Sequence, residues 1–296
     1  GTFLYFYPRY AVVTNIDFEH VDYYHTFDNI LAGYKKFMQQ VSHDGYLFAW
    51  GEDPNLRRLA SDLRCKVLTY GFEKNNDIYA DNITANEQGG SYDCYYQGKK
   101  IGRIELVIPG KHNILNSLAA VGIGMLMGID SKVIQSSLKE YRGVQRRFSI
   151  RGTVNEVMVV DDYGHHPTEI KATIATARLF KPKRLVTVFQ PHRYTRTKFL
   201  MEEFADTLAL TDYLILTDIY AASEQPIAGV TSEKLWERIR TKGKIAGAYR
   251  KKDEILKHLA QVVQPGDLVL ILGAGDINQL SEQLLSYLNE HSQSRV

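Results

Sequence analysis

The second half of the chain alternates apolar stretches of strand length with amphipathic stretches of helix length, and this alternation restricts the possible folds more than any other feature. Strands that are apolar throughout are typical of a parallel sheet that helices cover on both faces. We therefore predict the α/β class, with a doubly wound, Rossmann-like domain in this half. Its predicted strands are 154–160, 184–189, 213–217, 245–249 and 267–272, and its predicted helices are 167–180, 196–210, 231–241, 251–263 and 276–290.

The first half has a less regular pattern, because its alternating strands and helices are interrupted by residues 77–108, where polar and apolar residues alternate between turn residues. That alternation is typical of antiparallel hairpins. The polar segment Tyr141–Phe148 then breaks the pattern, and we place a domain boundary there, between domains 1–143 and 148–296. The predicted strands before the hairpins are 11–16, 46–50 and 65–70, and the predicted helices are 27–41, 54–63, 113–127 and 131–140.

The composition is that of an ordinary soluble globular protein, with 44% hydrophobic and 24% charged residues. A net charge of +2 gives no indication of binding to nucleic acid or to a membrane, and no apolar run approaches the roughly 20 residues that span a bilayer. The two cysteines, Cys65 and Cys94, form no metal-binding motif and suit a reducing compartment. We expect a cytoplasmic protein in which they act only as packing residues.

Ionisable side chains follow two of the predicted strands. The first strand leads into Asp161-Asp162-Tyr163-Gly164-His165-His166, and the second leads into His192-Arg193-Tyr194-Thr195-Arg196. Ligands of open α/β sheets bind at the carboxyl ends of the strands. We therefore expect two neighbouring loops, one with acids and histidines and one with cations, that bind an anionic ligand and support chemistry near pH 7. Arg193 and Arg196 are three residues apart, so we expect them on one side of a starting helix.

Two glycine-containing segments have competing interpretations. Gly273-Ala274-Gly275-Asp276 follows a strand, but it lacks the third glycine of a dinucleotide-binding turn, and we interpret it as a structural turn. Lys111–Asn116 opens a helix, where His112 or Asn113 could be the N-cap or, with Asn116, contact a ligand. No Walker A motif occurs, because no Gly-Lys pair is followed by serine or threonine.

Two charged segments also have competing interpretations. His20 lies among the carboxylates of Asp17–Asp22, which could bind a hard cation or form a solvated loop. Arg146 and Arg147 lie in the interdomain break, where they could be solvated or could bind a phosphate when domains close.

Taken together, seven segments along essentially the whole chain resemble the Mur ligase family of peptidoglycan synthesis. The two most specific, Asp161–Glu169 and Phe189–Thr197, resemble the branch of the family that adds L-alanine to UDP-N-acetylmuramate. The other five are Thr14–His20, Gly110–Asn116, Gly143–Phe148, Asp218–Glu224 and Gly273–Asp276.

The resemblance implies an incomplete central ATP-binding domain with a parallel sheet, followed by a complete Rossmann-like C-terminal domain. Family members have a UDP-sugar domain, a P-loop and an acidic metal-binding segment before the position that Gly1 matches, which would explain why no Walker A motif is present. We therefore expect an N-terminal portion to be missing from this chain, and the chain to be inactive alone.

The resemblance also implies ATP and Mg²⁺ as cofactors. The muramoyl carboxylate would take the γ-phosphate to give an acyl phosphate, and the amine of L-alanine would displace that phosphate. The implied partners are UDP-N-acetylmuramate and L-alanine, with no nucleic acid and no membrane, in a cytoplasmic monomer or dimer.

Individual roles follow from the resemblance as well. Arg147, with or without Arg146, would neutralise the γ-phosphate, and His165 would accept a proton from the ammonium group or orient it. His20 would be a ligand of Mg²⁺. The residues implied at ATP are His112, Asn113, Asn116, Arg146, Arg147 and Asp162, the last on the ribose hydroxyls, and those implied at L-alanine and the muramoyl end are Tyr163, His165, His192, Arg193 and Arg196.

Three alternatives remain. The chain could belong to a recycling ligase that attaches a tripeptide to UDP-N-acetylmuramate, and the amine substrate would distinguish the two enzymes. It could be a non-catalytic half of a split or truncated ligase. It could also be a dehydrogenase that uses the Gly273–Asp276 turn, and a failure to bind NAD(H) would exclude this.

Overall fold

The computed structural model describes residues 1–243 and 245–291, and it divides into two compact units, Gly1–Arg142 and Gly143–Val296. The division falls inside the polar segment Tyr141–Phe148. Each unit is built around its own sheet, so the α/β class and the Rossmann-like pattern of the second half are confirmed.

The first unit contains a six-stranded sheet in the order β1-β2-β3-β4-β5-β6. The strands β1 to β4 pair in parallel, whereas β4, β5 and β6 pair antiparallel, as predicted for residues 77–108. The strands are β1 (Tyr10–Val13), β2 (Tyr46–Trp50), β3 (Lys66–Gly71), β4 (Ile78–Asn86), β5 (Gly89–Tyr96) and β6 (Lys99–Leu106), and the helices are α1 (Val21–Tyr24), α2 (Phe27–Gln39), α3 (Pro54–Ala60), α4 (Lys111–Leu126) and α5 (Ser131–Glu140).

Helix α4 packs across this sheet. A Cβ on Gly122 would lie 2.7 Å from the Phe48 ring, so only glycine allows the observed approach of helix and sheet. The N-cap of α4 is Gly110, with a φ of 108°, so the interpretation of His112 or Asn113 as the N-cap is wrong. The helix begins two residues earlier than predicted because Gly110 adopts a conformation that side chains disfavour. Cys65 and Cys94 are free and buried, as expected of packing residues.

The second unit contains a six-stranded sheet in the order β11-β10-β9-β12-β8-β7, with all pairs parallel except β7–β8. Helices cover both faces, since Val188 belongs to the core that contains Leu259, whereas the ring of Phe189 packs against Phe204. The strands are β7 (Ser149–Val154), β8 (Val157–Asp162), β9 (Arg184–Phe189), β10 (Tyr213–Leu216), β11 (Ala246–Tyr249) and β12 (Asp267–Leu272), and the helices are α6 (Pro167–Arg178), α7 (Tyr194–Phe199), α8 (Met201–Leu208), α9 (Ser232–Thr241), α10 (Ile255–Val262) and α11 (Gln279–Glu290).

Two predictions for the second unit need correction. The single strand predicted at 154–160 is the hairpin β7–β8, whose turn is Asn155-Glu156 with φ values of 51° and 60°. Strand β7 has no continuous apolar run because it lies at the sheet edge, so periodicity did not reveal it. The helix predicted at 196–210 is interrupted at Leu200, where φ is −113°, and forms α7 and α8.

Candidate functional site

The candidate site lies at the carboxyl ends of β8, β12 and β9. The pairing aligns Asp162 with Leu272 and Leu272 with Phe189, so the three strands end at the same level. The strands β8 and β9 are not themselves adjacent, because β12 lies between them. The loops nevertheless meet above the intervening turn, since the ring centroids of His165 and His192 are 5.8 Å apart.

The turn after β12 is compact because it contains glycines. A Cβ on Gly275 would lie 2.4 Å from Oε1 of Gln190 and 2.8 Å from Cγ of Tyr220, so a larger residue would crowd the side chains of the loops after β9 and β10. The Gly273 amide donates to the Asp162 carbonyl at 3.2 Å. These contacts support the interpretation of Gly273–Asp276 as a structural turn.

Asp162 fastens the interdomain segment to the end of β8. Its Oδ2 accepts a hydrogen bond from the Phe148 amide at 2.7 Å, and its Oδ1 accepts one from the Gly164 amide at 2.6 Å. Burial raises the pKa of this carboxyl, against the lowering effect of the two amides. The side chain is only 4% exposed, so an approach to ribose hydroxyls would require it to leave these partners.

Arg146 points into the second unit. Its Nη2 donates to the carbonyls of Gly273, at 2.6 Å, and Gly275, at 3.3 Å, and its guanidinium carbon lies 4.9 Å from the centre of the Tyr163 ring. Its Nε is 3.5 Å from Oδ2 of Asp161, a carboxyl whose pKa is raised by burial. Arg146 is therefore held by the turn after β12, the loop after β8 and the end of β8 itself.

Arg147 points in a different direction from Arg146. Its Nη1 forms an ion pair with Oε1 of Glu169 at 3.0 Å, and its side chain is 51% exposed. The resemblance implied that Arg147, with or without Arg146, would neutralise the γ-phosphate. The structure places only Arg147 where its guanidinium is broadly accessible.

Glu169 organises the first turn of α6. In a capping box, the Nδ1 of His166 accepts from the Thr168 amide at 3.3 Å, while Oε2 of Glu169 accepts from the amides of His166 and His165 at 3.3 and 3.1 Å. Burial tends to raise the pKa of the Glu169 carboxyl, but the nearby His165 and Arg147 hold it below its usual value. The sequence contains no signal for this role of Glu169, because the residue three positions before it is His166 and not the serine, threonine, aspartate or asparagine of an ordinary capping box.

His165 lies between the two loops. Its Nδ1 is 3.0 Å from the Tyr163 carbonyl and 3.5 Å from Oε2 of Glu169. A carbonyl can only accept, so this contact places a proton on Nδ1 and orients the ring.

The loop after β9 is joined to the loop after β10 by backbone hydrogen bonds. The Tyr220 amide donates to the Pro191 carbonyl and the Arg193 amide to the Tyr220 carbonyl, both at 2.8 Å. The His192 ring stacks on Tyr220 with centroids 5.5 Å apart. Sequence analysis assigned Tyr220 no role of its own and included it only in the segment Asp218–Glu224. No local pattern indicates that it contacts a loop nearly 30 residues away.

Burial and the nearby cations lower the pKa of His192 to about 4, so this imidazole is neutral at pH 7. Nη1 of Arg196 lies 3.2 Å from Nδ1 of His192 and 3.1 Å from its carbonyl. Since an arginine can only donate, Nδ1 accepts and the proton resides on Nε2. Arg196 is 8% exposed, so it supports the loop from inside.

Arg193 is less buried and lies at the N-cap of α7 with a φ of 73°. A non-glycine residue in that region is strained and needs support from its surroundings. Glu224 provides it, since its carboxylate accepts from the amide of Thr195 at 3.0 Å and from its hydroxyl at 2.6 Å, and lies 3.7 Å from Nη1 of Arg193. The expectation that Arg193 and Arg196 lie on one side of a starting helix is not met, because Arg193 precedes the first helical residue of α7 whereas Arg196 lies within the helix and is 8% exposed. Glu224, like Tyr220, was missed as a site residue.

The remaining candidates belong to the first unit. His20 is exposed in a left-handed conformation at the start of α1, with Nε2 3.9 Å from Oε2 of Glu19. Within residues 1–243 and 245–291, no three histidine, cysteine, aspartate or glutamate side chains converge as metal ligands. Asn113 donates to the Pro109 carbonyl at 2.7 Å, and Asn116 is exposed on α4 beyond the half-buried His112. The ligand roles of these four residues stay predictions.

The side chains of the second unit's loops have the chemistry to bind an anion. Arg147 and Arg193 supply accessible positive charge, His192 a neutral imidazole, and Glu169 a carboxylate between cations. Arginine suits planar anions because its guanidinium donates in a fork. Across the described parts of the chain, no helix is both long and apolar enough to cross a bilayer.

Comparison with known proteins gives consistent results for both units. The Mur ligase middle domain matches residues 2–124, and the Mur ligase, glutamate ligase domain matches residues 146–275. A UDP-N-acetylmuramate–L-alanine ligase of Caldanaerobacter subterraneus subsp. tengcongensis is 41% identical over 96% of this chain, and one of Geotalea daltonii is 43% identical over 98%. The chain spans 62% and 64% of the length of these two relatives.

Solved structures show the same likeness. The UDP-N-acetylmuramate–alanine ligase of Thermotoga maritima superposes with a TM-score of 0.77 at 26% identity, over 97% of this chain and 61% of that one. A murein peptide ligase of Psychrobacter arcticus gives a TM-score of 0.69 at 21% identity, over 97% and 59%. The second likeness concerns the fold alone.

Proposed function

The chain belongs to the Mur ligase family, and from this premise we propose that it provides the amino-acid site and part of the ATP site of a ligase that joins L-alanine to UDP-N-acetylmuramate in peptidoglycan synthesis. The supporting observation is the meeting of the loops after β8 and β9, which brings His165 within 5.8 Å of His192 beside Arg193. The names of relatives at about 40% identity favour L-alanine as the amine.

Charge neutralisation is the main requirement of the first step. A carboxylate and a triphosphate repel each other, and the negative charge on the transferring phosphoryl group must be stabilised. We assign this role to Arg147, which is half exposed and held by an ion pair that a phosphate can replace. Arg146 supports the loops instead, because its hydrogen bonds to the carbonyls of Gly273 and Gly275 leave it inside the unit.

The second step needs an amine without its proton, oriented towards the acyl phosphate. Arg193 is the proposed partner of the L-alanine carboxylate, since it is cationic and supported by Glu224. His192 is neutral at pH 7, so it can approach an ammonium group without repulsion. His165, with Nδ1 held by the Tyr163 carbonyl, is proposed to orient the amine or accept its proton.

Mg²⁺ would neutralise phosphate oxygens when it is bound. His20 is the proposed protein ligand, and its exposed imidazole is accessible. The Glu19 carboxylate lies 3.9 Å from it, and the described residues do not bring three histidine, cysteine, aspartate or glutamate side chains together, so they do not complete a magnesium site by themselves. No step above therefore depends on the metal.

The proposal is tested by fusing this chain to the N-terminal part of the Caldanaerobacter relative that lies outside the match. Since no Walker A motif occurs in the 296 residues, we expect the chain alone to be inactive and the fusion to release phosphate with ATP, UDP-N-acetylmuramate and L-alanine. Activity with a tripeptide but not with L-alanine would indicate the recycling ligase. A folded fusion with neither activity would favour a non-catalytic protein.

Arg193→Ala tests the amino-acid site in the same fusion. We expect the KM for L-alanine to rise at least about tenfold with little change in the KM for ATP, because a hydrogen bond to a charged group contributes about 1.5–3 kcal/mol. Arg238→Ala is the matched control, since Arg238 pairs with Glu202 on α8, away from the loops described above. An unchanged KM for L-alanine in Arg193→Ala would refute the assignment.

A further inference from the structure

We propose that Glu169 is a positioning residue whose single carboxylate is shared between Arg147 and His165, so that a change at either partner moves the carboxylate and is felt by the other. The roles of Arg147 at phosphate and His165 at the amine rest on the proposed function. The sharing itself rests on geometry and can be tested without any substrate.

The two oxygens of Glu169 are divided between the two partners. Oε1 forms the 3.0 Å ion pair with Nη1 of Arg147, and Oε2 lies 3.1 Å from the His165 amide and 3.5 Å from its Nδ1. Arg147 approaches from the interdomain segment and His165 from the loop after β8, so the carboxylate joins two segments that are 18 positions apart in the chain.

Tyr163 supports the same arrangement. Its ring lies 5.7 Å from the guanidinium carbon of Arg147 and meets the His165 ring edge-on, with centroids 5.2 Å apart. Arg147 and His165 are therefore held on a common surface while Glu169 contacts both. Other ionisable groups that act here are Asp162, which interacts with Glu169, and His192, which lies 5.8 Å from His165.

The carboxylate is 32% exposed, so water only partly screens its attraction for each partner. A phosphate that binds Arg147 competes with Glu169 for the guanidinium. The released carboxylate then interacts more strongly with His165, and by linkage a change at His165 alters the affinity for the phosphate. Binding of a phosphate at Arg147 would thus change the environment of His165 through the single side chain of Glu169.

Glu169 also caps α6, and this structural role must be separated from the shared contact. Glu169→Gln keeps an oxygen that can accept from the amides of His165 and His166 but removes the charge. Arg147→Ala keeps both side chains of the capping box, because the half-exposed Arg147 contacts the other carboxylate oxygen, Oε1. Glu224→Gln is a matched control, since Glu224 also accepts from the start of a helix and faces an arginine.

The experiment follows the His165 ring signals of the whole 296-residue chain by NMR as a function of pH, without ligand. We expect the midpoint of the His165 titration to fall in Glu169→Gln, to rise in Arg147→Ala, and to respond far less to Arg147→Ala when Glu169 is already glutamine. Glu224→Gln should change it less than Glu169→Gln does.

The combination of the two substitutions is decisive. If the charges were fixed in space, removing Arg147 would shift the midpoint equally with and without Glu169, whereas a carboxylate that moves between partners makes the shifts unequal. Equal shifts, or an unchanged midpoint in a folded Glu169→Gln chain, would overturn the proposal. Loss of ligase activity in the fusion would not affect this result, so failure of the proposed function and failure of the shared contact are distinguishable.

Discussion

At the scale of single residues, neighbouring side chains of the same type take different roles. Arg146 is directed inward by the carbonyls of Gly273 and Gly275, whereas Arg147 is directed outward to Glu169. The same separation occurs between the buried Arg196 and the more accessible Arg193. In each pair, one arginine supports the loop from inside and the other is more accessible to solvent.

This difference predicts different effects on stability. Arg146→Ala should lower the free energy of unfolding by about 1–3 kcal/mol, because two carbonyls and Asp161 lose their partner inside the unit. Arg147→Ala should change it by no more than about 1 kcal/mol, as expected for an accessible ion pair. Urea unfolding of the two variants measures both values, and equal losses would contradict the assignment.

The neutral state of His192 predicts a pH effect. Its pKa is lowered from 6.5 to about 4 in the fold, so between these values the unfolded chain binds more protons than the folded one. The stability that this group contributes is therefore complete above about pH 6.5 and is lost as the pH falls towards 4. His165, Arg193, Arg196 and Glu224 face the ring and contribute to the shift.

The comparison of wild type with His192→Asn isolates this effect. Asparagine can accept the hydrogen bond from Arg196 but does not titrate. Unfolding free energies are measured for both proteins between pH 4.5 and pH 7.5. The value for the wild type minus the value for His192→Asn should decrease as the pH falls, because only the wild type has the titrating imidazole. A difference that does not vary with pH would show that His192 has no lowered pKa.

At the scale of elements, the short hairpin β7–β8 brings the interdomain segment to the edge of the sheet. Both of its turn residues have positive φ, which is the type of turn that matches the twist of the strands and prefers glycine at its second position. The second position here is Glu156, whose φ is 60° and whose side chain is exposed. The turn is therefore formed at some cost in backbone conformation.

Glu156→Gly should stabilise the chain by about 0.5–1 kcal/mol, because glycine adopts positive φ without the steric cost of a Cβ. The carbonyl that accepts from the Gly266 amide is kept. Glu156→Ala removes the same carboxylate but keeps the Cβ, so it should give no gain. A gain in both variants would show that the charge, and not the backbone conformation, is responsible.

At the scale of the whole molecule, the chain consists of two units, Gly1–Arg142 and Gly143–Val296. The last residues of the first unit are exposed, and the first residues of the second unit are soon held by hydrogen bonds within that unit. Tyr141 and Arg142 are exposed, whereas the Arg146 carbonyl accepts from the Tyr163 amide at 2.7 Å and the Phe148 amide donates to Asp162. The backbone that a protease can reach at this junction therefore includes Arg142 but ends before Arg146.

Limited digestion with trypsin tests this description. Cleavage after Arg142 should precede cleavage after Arg146 or Arg147, because a protease needs an extended, accessible backbone. Mass spectrometry of early fragments identifies the cut, and Arg142→Gln should delay it. Early cleavage after Arg146 in the wild-type chain would show that the fastening contacts are weak.

The local pattern of the sequence was sufficient for the α/β class, the parallel strands, the antiparallel hairpins of the first unit and the loops in which site residues occur. These features depend on periodicity and on short motifs such as Asp161–Glu169, so they can be read over ten or twenty residues. The edge strand β7 was missed because an edge strand lacks the continuous apolar run of a buried one.

The tertiary structure decided which side chains of the candidate site are accessible and which are held inside the unit. The strand β12, which comes last in the chain, lies between β8 and β9 in the sheet. The glycine turn that follows it supplies the carbonyls that bind Arg146 from 127 and 129 residues away. Glu169 and Glu224 gained their roles from arginines on other loops. Partners so distant in the chain are set by strand order and packing, which no local pattern of residues specifies.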